Sequence, residues 1–232
     1  MVKKYKKTDD ISYALGATVT MELLNRRADS ARCVYVSPKS DVTVVTDRAR
    51  ALGIPVTESE KAFNILSPKE NCYVIGEFNK YDSHAQSDRH HVVLVNPSNS
   101  GNLGTIMRAV AAFDCADLVI IKPAVDCFDP KTVRASMGAV FGINVEQFDS
   151  FEEYINKFGD RVVMPFMLCG GAFSKTEFDA SKKYSLVFGN EATGLPESYA
   201  QYSPVRIEQS EKVDSLNLSA AVSVALYKMY IS

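Results

Sequence analysis

The stretch HVVLVNPSNSGNLGTIMRAVAAFDCADLVII, His91–Ile121, decides the fold. It opens on a β-branched apolar run, His91–Val95, which reads as a strand, and passes through a polar, glycine-containing turn, Asn96–Gly104. A helix from about Thr105 to Phe113 follows, and then a second apolar strand, Leu118–Ile121. Strand, helix and strand within about 30 residues make a βαβ unit with parallel strands. Toward the C-terminus, apolar runs at Val140–Val145, Val162–Leu168 and Ser185–Phe188 alternate with helical candidates at Phe151–Phe158 and Pro196–Gln201, which extends a parallel α/β domain. Leu216–Tyr230 ends it as a helix, because Leu218, Ala221, Val222, Ala225 and Met229 recur with helical spacing. On the N-terminal side, Ser12–Asn25 reads as an amphipathic helix, Ala31–Val36 as a strand, and Asp47–Leu52 as a helix stopped by Gly53 and Pro55. Glu58–Leu66 reads as a further helix and Cys72–Ile75 as a strand, giving a small α/β unit. The polar, aperiodic NKYDSHAQSDRH, Asn79–His90, is the expected linker. The expected domains are therefore 1–82 and 90–232.

A chain of 232 residues holds one large domain or two small ones. Its 46% hydrophobic and 23% charged content is that of an ordinary globular protein and excludes disordered and collagen-like classes. The formal charge of -2 removes a globally basic surface, leaving only local basic patches to bind nucleic acid. Lys3, Lys4, Lys6 and Lys7 are not followed by an apolar segment of secretory type, and no run approaches the ~18 apolar residues of a membrane span. Cys33, Cys72, Cys115, Cys127 and Cys169 form no CxxC pair and are odd in number, so buried reduced thiols and a cytoplasmic location are expected, with no metal site.

Three loops carry candidate chemistry. NPSNSGNLGTIMR, Asn96–Arg108, joins strand to helix and is expected to offer backbone donors at a helix N-terminus to an anion or polar ligand. Gly101 and Gly104 give only GxxG, so the dinucleotide fingerprint is not met and a nicotinamide oxidoreductase loses ground. Arg108, one turn beyond Gly104, either reaches back to grip a phosphate or carboxylate or is an ordinary surface arginine. In LVFGNEATGLP, Leu186–Pro196, Gly189 and Gly194 permit close backbone approach and Glu191 supplies an acceptor; the alternative is a plain turn. In IEQSEKVDSLNLSAA, Ile207–Ala221, Ser215 and Asn217 are good helix caps when taken alone. All three loops follow apolar strands, and in a parallel sheet such loops gather on one edge, where ligands bind.

Taken in order, these segments resemble motifs one, two and three of the SpoU/TrmH family of RNA ribose 2′-O-methyltransferases, within the SPOUT superfamily. NLGTIMR, Asn102–Arg108, is similar to motif one; Gly189-Asn190-Glu191 with Gly194 to motif two; and SLNLS, Ser215–Ser219, to motif three. RASMGAVFGINV, Arg134–Val145, is similar to the family's small-residue segment, and order and distances agree over roughly Val92 to Tyr230. Residues from about Ile11 to Tyr81, including ALGIPVTESEKAFNILSP, resemble the small ribosomal-protein-like RNA-binding domain that many members carry in front.

The resemblance implies a parallel-sheet α/β domain whose C-terminal part is a trefoil knot, an exception to the rule against threaded loops. It implies S-adenosylmethionine as cofactor, held at Gly189, Asn190, Ile207 and Leu216, and a homodimer whose active site is completed by the partner's motif one. It implies methyl transfer to a ribose 2′-hydroxyl of tRNA or rRNA, with Arg108 activating the hydroxyl and Asn102, Glu191, Ser215 and Asn217 orienting the reacting groups. A non-catalytic RNA-binding protein that keeps the fold is the alternative, opposed by the presence of all five polar residues. One departure stands out: members often carry Ile-Pro-Met where this chain has Ile207-Glu208-Gln209. An RNA partner also requires local basic clusters, for which Lys3, Lys4, Lys6, Lys7, Arg26, Arg27 and Arg32 are the expected supply.

Overall fold

The structure is a computed structural model and describes residues 2–38, 42–67 and 71–232. Met1 and Pro68, the ends of two stretches read above, lie outside the described residues. The chain begins β1 (Ile11–Leu15), α1 (Ala17–Arg26), β2 (Ala31–Val36), α2 (Thr43–Ala51), β3 (Val56–Glu58), α3 (Glu60–Leu66) and β4 (Val74–Asn79). It continues β5 (His90–Val95), α4 (Ser100–Phe113), β6 (Ala116–Ile121), α5 (Pro130–Ala135), β7 (Val145–Phe148) and α6 (Phe151–Lys157). It ends β8 (Val162–Ala172), β9 (Tyr184–Phe188), β10 (Val205–Arg206) and α7 (Leu218–Ile231). Contacts divide it into two units, Met1–Asp82 with Asp126–Gly142, and Ser83–Val125 with Ile143–Ser232.

The first unit holds a four-stranded sheet in the order β1-β4-β2-β3, with β4 antiparallel to both its neighbours and β3 parallel to β2. Two expectations change here. Ser12–Asn25 is not one helix: Ile11–Leu15 pairs with β4, and helix begins only at Ala17. Gly16 lies between them at φ +102°, a conformation glycine alone enters readily, and it breaks the run. The apolar Val140–Val145 is not a strand either, except for Val145, which opens β7. Ala139–Gly142 is a 3-10 turn whose Phe141 is buried edge-on against Phe78, with ring centroids 5.1 Å apart. A short apolar run has no periodicity to separate a strand from a buried turn. Three of the expected basic residues are spent internally, Lys3 on Asp9, Arg26 on Glu22 and Arg32 on Glu77.

The second unit is built on a six-stranded sheet, β10-β8-β9-β5-β6-β7, parallel throughout. Its inner strands are apolar because both faces are covered: every residue of β6 and β9 is buried. On one side Phe148, Tyr154, Phe158 and Tyr199 pack with Val93, Val119 and Val187. α4 packs against α7, burying Leu103, Ile106, Met107 and Val110 on α4 and Val222, Ala225, Leu226 and Met229 on α7. The expected linker is bound rather than loose over its second half. Gln86 N and Arg89 Nε donate to Asp117 at 2.8 and 2.9 Å, and Ala85 N donates to Glu146 at 3.0 Å. Pro196–Gln201 is a 3-10 turn, Glu197–Gln201, instead of a helix. Of the five thiols only Cys72 and Cys127 are buried; Cys33 and Cys115 are intermediate and Cys169 is exposed. No helix among the described residues is long and apolar enough to cross a membrane.

Candidate functional site

The chain leaves β5 toward β6 on one side, while β9, the strand paired to β5 on the other side, is reached from β8. This reversal of strand order is a topological switch point, where the loops beyond the strands' C-terminal ends diverge and leave a crevice. Leu94 pairs with Phe188, so the two strands end level and deliver the Asn96–Asn99 and Gly189–Leu195 turns side by side.

Local chemistry fixes both turns. Gly189 must lack a side chain, since a Cβ there would lie 2.2 Å from the Gly194 carbonyl carbon. Gly194 sits at φ +69° and donates its N–H to the Asn190 carbonyl at 2.9 Å. The Asn190 Oδ1 accepts from Ala192 N at 2.9 Å and Thr193 N at 3.2 Å, closing the turn from within. Its Nδ2 donates to the Asn96 carbonyl at 2.8 Å and joins the two loops. Asn96 itself takes φ 53°, in the left-handed region that asparagine tolerates better than most residues.

Glu191 is the centre of the arrangement. One carboxylate oxygen accepts from Ser98 N at 3.0 Å and Ser98 Oγ at 2.8 Å, the other from Asn99 N and Asn102 Nδ2, both at 3.2 Å. Partial burial pushes its carboxyl upward, but hydrogen bonds from its own backbone, Ser98 and Asn102 outweigh that and hold it below the usual carboxylate range. The Asn99 side chain caps α4, accepting from Gly101 N at 2.8 Å and Asn102 N at 3.0 Å. This corrects the expectation of free donors at this helix start: Ser98, Asn99, Gly101 and Asn102 give their N–H groups to Glu191 and Asn99. The relay continues as Asn217 Nδ2 donates to Asn102 Oδ1 at 3.1 Å, while Asn217 Oδ1 caps α7 through Ser219 N at 2.9 Å and Ser219 Oγ at 2.7 Å. Glu191, Asn102 and Asn217 thus tie the starts of α4 and α7 to the β9 turn.

Against this relay lies a cleft of about 670 Å³ whose walls include Gly189, Asn190, Glu191, Ile207, Ser215, Leu216 and Asn217. Sequence reasoning missed its far wall, Phe166–Cys169 in the middle of β8 and Val205–Arg206 of β10. Phe166 stacks on Phe188 with centroids 4.3 Å apart. No motif marks Phe166–Cys169; only β8 pairing beside β9 brings them here. Arg108 is not among the cleft's lining residues. Its side chain is exposed on α4 and makes no hydrogen bond or ion pair among the described residues. No cluster of three or more His, Cys, Asp or Glu among the described residues could hold a metal ion.

The chain is 30% identical over 146 residues to the 23S rRNA (uridine(2479)-2′-O)-methyltransferase of Streptomyces viridochromogenes, covering 59% of this chain and 50% of that protein. It spans about half the length of the first curated relatives it matches. The crystal structure of an AdoMet-bound rRNA methyltransferase from Sinorhizobium meliloti superposes with a TM-score of 0.78 at 28% identity, over 94% of this chain and 86% of that one. A structure concerned with 2-OH methylation of C/U34 on tRNA matches at 30% identity with a TM-score of 0.58, over 62% of this chain and 96% of that one. Residues 89–227 match the SpoU rRNA Methylase family, and the chain belongs to it.

Proposed function

We propose that this protein is an RNA methyltransferase that transfers the methyl group of S-adenosylmethionine to a ribose 2′-hydroxyl of tRNA or rRNA. The observation that carries the reading is the switch-point cleft with the Glu191–Asn102–Asn217 relay at its edge. The cleft suits such a cofactor. Its volume is that of a nucleotide-sized site, and its Phe188, Ile207 and Leu216 walls are apolar. When bound, the cofactor supplies an electrophilic methyl on a sulfonium. The residues named here then have two tasks, to hold the ribose oxygen in line and to lower the cost of losing its proton.

Glu191 and Asn217 keep the two loops in register, so that Gly189, Asn190, Ile207 and Leu216 meet the cofactor as one surface. Ser215, which lines the cleft beside Asn217, is read as a ribose-orienting group. Arg108 faces solvent on the stripe of α4 that also carries Gly101 and Thr105, which is where a second copy of the chain would meet its partner's cleft. We read the protein as a homodimer on that basis, with Arg108 of one protomer acting on the hydroxyl held by the other, assisted by an RNA phosphate because a guanidinium is already protonated and cannot itself accept the proton. The passage from β9 through the Ile207–Asn217 loop to α7 is read as a trefoil knot, the first unit as the RNA-recognising part, and the location as cytoplasmic. Arg108→Ala should lower methyl transfer by ~100-fold or more while leaving cofactor affinity near wild type. Transfer of the labelled methyl to RNA, with mass-spectrometric mapping of the modified ribose, measures it; wild-type turnover by this variant would remove Arg108 from the mechanism.

A further inference from the structure

The loop that forms one wall of the cleft is held by an unexpected residue. β10 secures Val205–Arg206 to β8 at Gly171–Ala172, and Gly170 allows it, since a Cβ there would lie 2.5 Å from the Val205 backbone. From Ile207 to Asn217 the chain then has neither helix nor strand. Ile207 and Gln209 line the cleft; Glu208 between them does not. Its carboxylate instead accepts from Ser174 N at 3.2 Å and from the Ser174 hydroxyl, in the 3-10 turn Phe173–Lys175 that follows β8. The same turn is gripped from its carbonyl side. Lys228 Nζ of α7 donates to the Phe173 carbonyl and, at 2.8 Å, to the Ser174 carbonyl, and lies 4.8 Å from the centroid of the Phe173 ring. The Ser174 hydrogen bond, foremost, holds the Glu208 carboxyl below its ordinary range.

An exposed ion pair alone would contribute little. Glu208 differs in two respects. It takes two charge-assisted hydrogen bonds from one residue, which fixes direction as well as distance. It also sits two residues past a two-residue ladder, where the loop has no other sheet pairing. We propose that Glu208 is a positioning residue for the cofactor: its grip on Ser174 sets the placement of Ile207 and Gln209 against the cleft, and Lys228 holds the Ser174 turn in place. The proposal rests on the assignment of the cleft to S-adenosylmethionine.

The test uses the full chain with Glu208→Ala, Ser174→Ala, the double variant and Glu208→Gln. Calorimetric titration with S-adenosylmethionine should show the dissociation constant raised ~5- to 10-fold in each alanine variant, with the double variant no worse than either alone, because both remove one interaction. Glu208→Gln, which keeps an acceptor, should recover most of the affinity. Turnover should show the loss in KM for the cofactor rather than in kcat, which a general loss of stability would not produce. Amide hydrogen exchange should quicken in 207–217 and stay at wild-type rates in α4 and β5. Unchanged exchange in 207–217 together with unchanged affinity would overturn the proposal, as would additive losses in the double variant. A wild-type protein with no affinity for S-adenosylmethionine would instead overturn the cofactor assignment, and the exchange rates would still decide whether Glu208 holds the loop.

Discussion

Glu191 occupies the place at the start of α4 that an external anion would otherwise take. A carboxylate at a helix N-terminus is favoured by the helix dipole and by unpaired N–H groups, and here it receives four hydrogen bonds. Glu191→Gln should therefore cost about 1–3 kcal/mol of stability at about pH 7, read from urea unfolding. The pH dependence has a definite sign. Because the folded-state carboxyl titrates below its unfolded value, its stabilisation is present above the ordinary carboxyl range and is lost as the pH falls through the lowered one. Wild type should lose more stability than Glu191→Gln as the pH falls from about 5 to about 2, and equal losses would show that the carboxylate is not what the bonds stabilise. The sequence made Gly189, Asn190 and Glu191 visible as a group, since glycine and asparagine at a strand end mark a turn. It could not show that Glu191 faces inward to Ser98 and Asn99, because those partners lie about 90 residues away and meet it only through the β5–β9 pairing.

At the scale of elements, α7 carries an exposed apolar face. Along α7 the inward stripe is buried while Val224, Tyr227 and Tyr230 on the opposite side are 44%, 55% and 62% exposed. Phe113 at the end of α4 meets the last two, with ring centroids 6.1 and 5.8 Å away. An exposed aromatic and aliphatic face of this kind suits the proposed association with a second copy. If the chain pairs as proposed, Val224→Glu with Tyr227→Glu should shift it to monomer in sedimentation velocity and reduce methyl transfer along with it, since in that reading a monomer lacks the partner's Arg108. A dimer that survives both changes would place the interface elsewhere. The helical period of α7 was legible because its apolar residues repeat regularly, and the helix starts two residues later than expected because Asn217 caps it. The β1 strand was not legible: Ser12–Asn25 has helical spacing throughout, and only pairing with β4 and the φ of Gly16 divide it.

For the whole molecule, contiguity in sequence and in space part company. Asp126–Gly142 lies between β6 and β7 in the chain, yet packs with residues 1–82. Phe128 and Phe141 both meet Phe78, at 5.9 and 5.1 Å between ring centroids, and Phe128 also meets Tyr81 at 4.9 Å. A truncated chain of residues 90–232 would carry these aromatics without their partners. It should bind more of a hydrophobic dye such as ANS than the full chain and aggregate at lower temperature, and identical dye binding by the two would show that the segment finds other cover.

The sequence by itself determined the parallel α/β class, the three strand-end loops and the residue types in them, because apolar periodicity, glycine and the helix caps act over a few neighbouring residues. The tertiary structure decided which of those residues meet. The strand order places the Glu191 carboxylate on the α4 start, brings Phe166–Cys169 to the cleft, leaves Arg108 in solvent and gives Glu208 to Ser174. These are pairings between residues tens of positions apart. They depend on which strands lie side by side, and the local preferences of the chain carry no information about that.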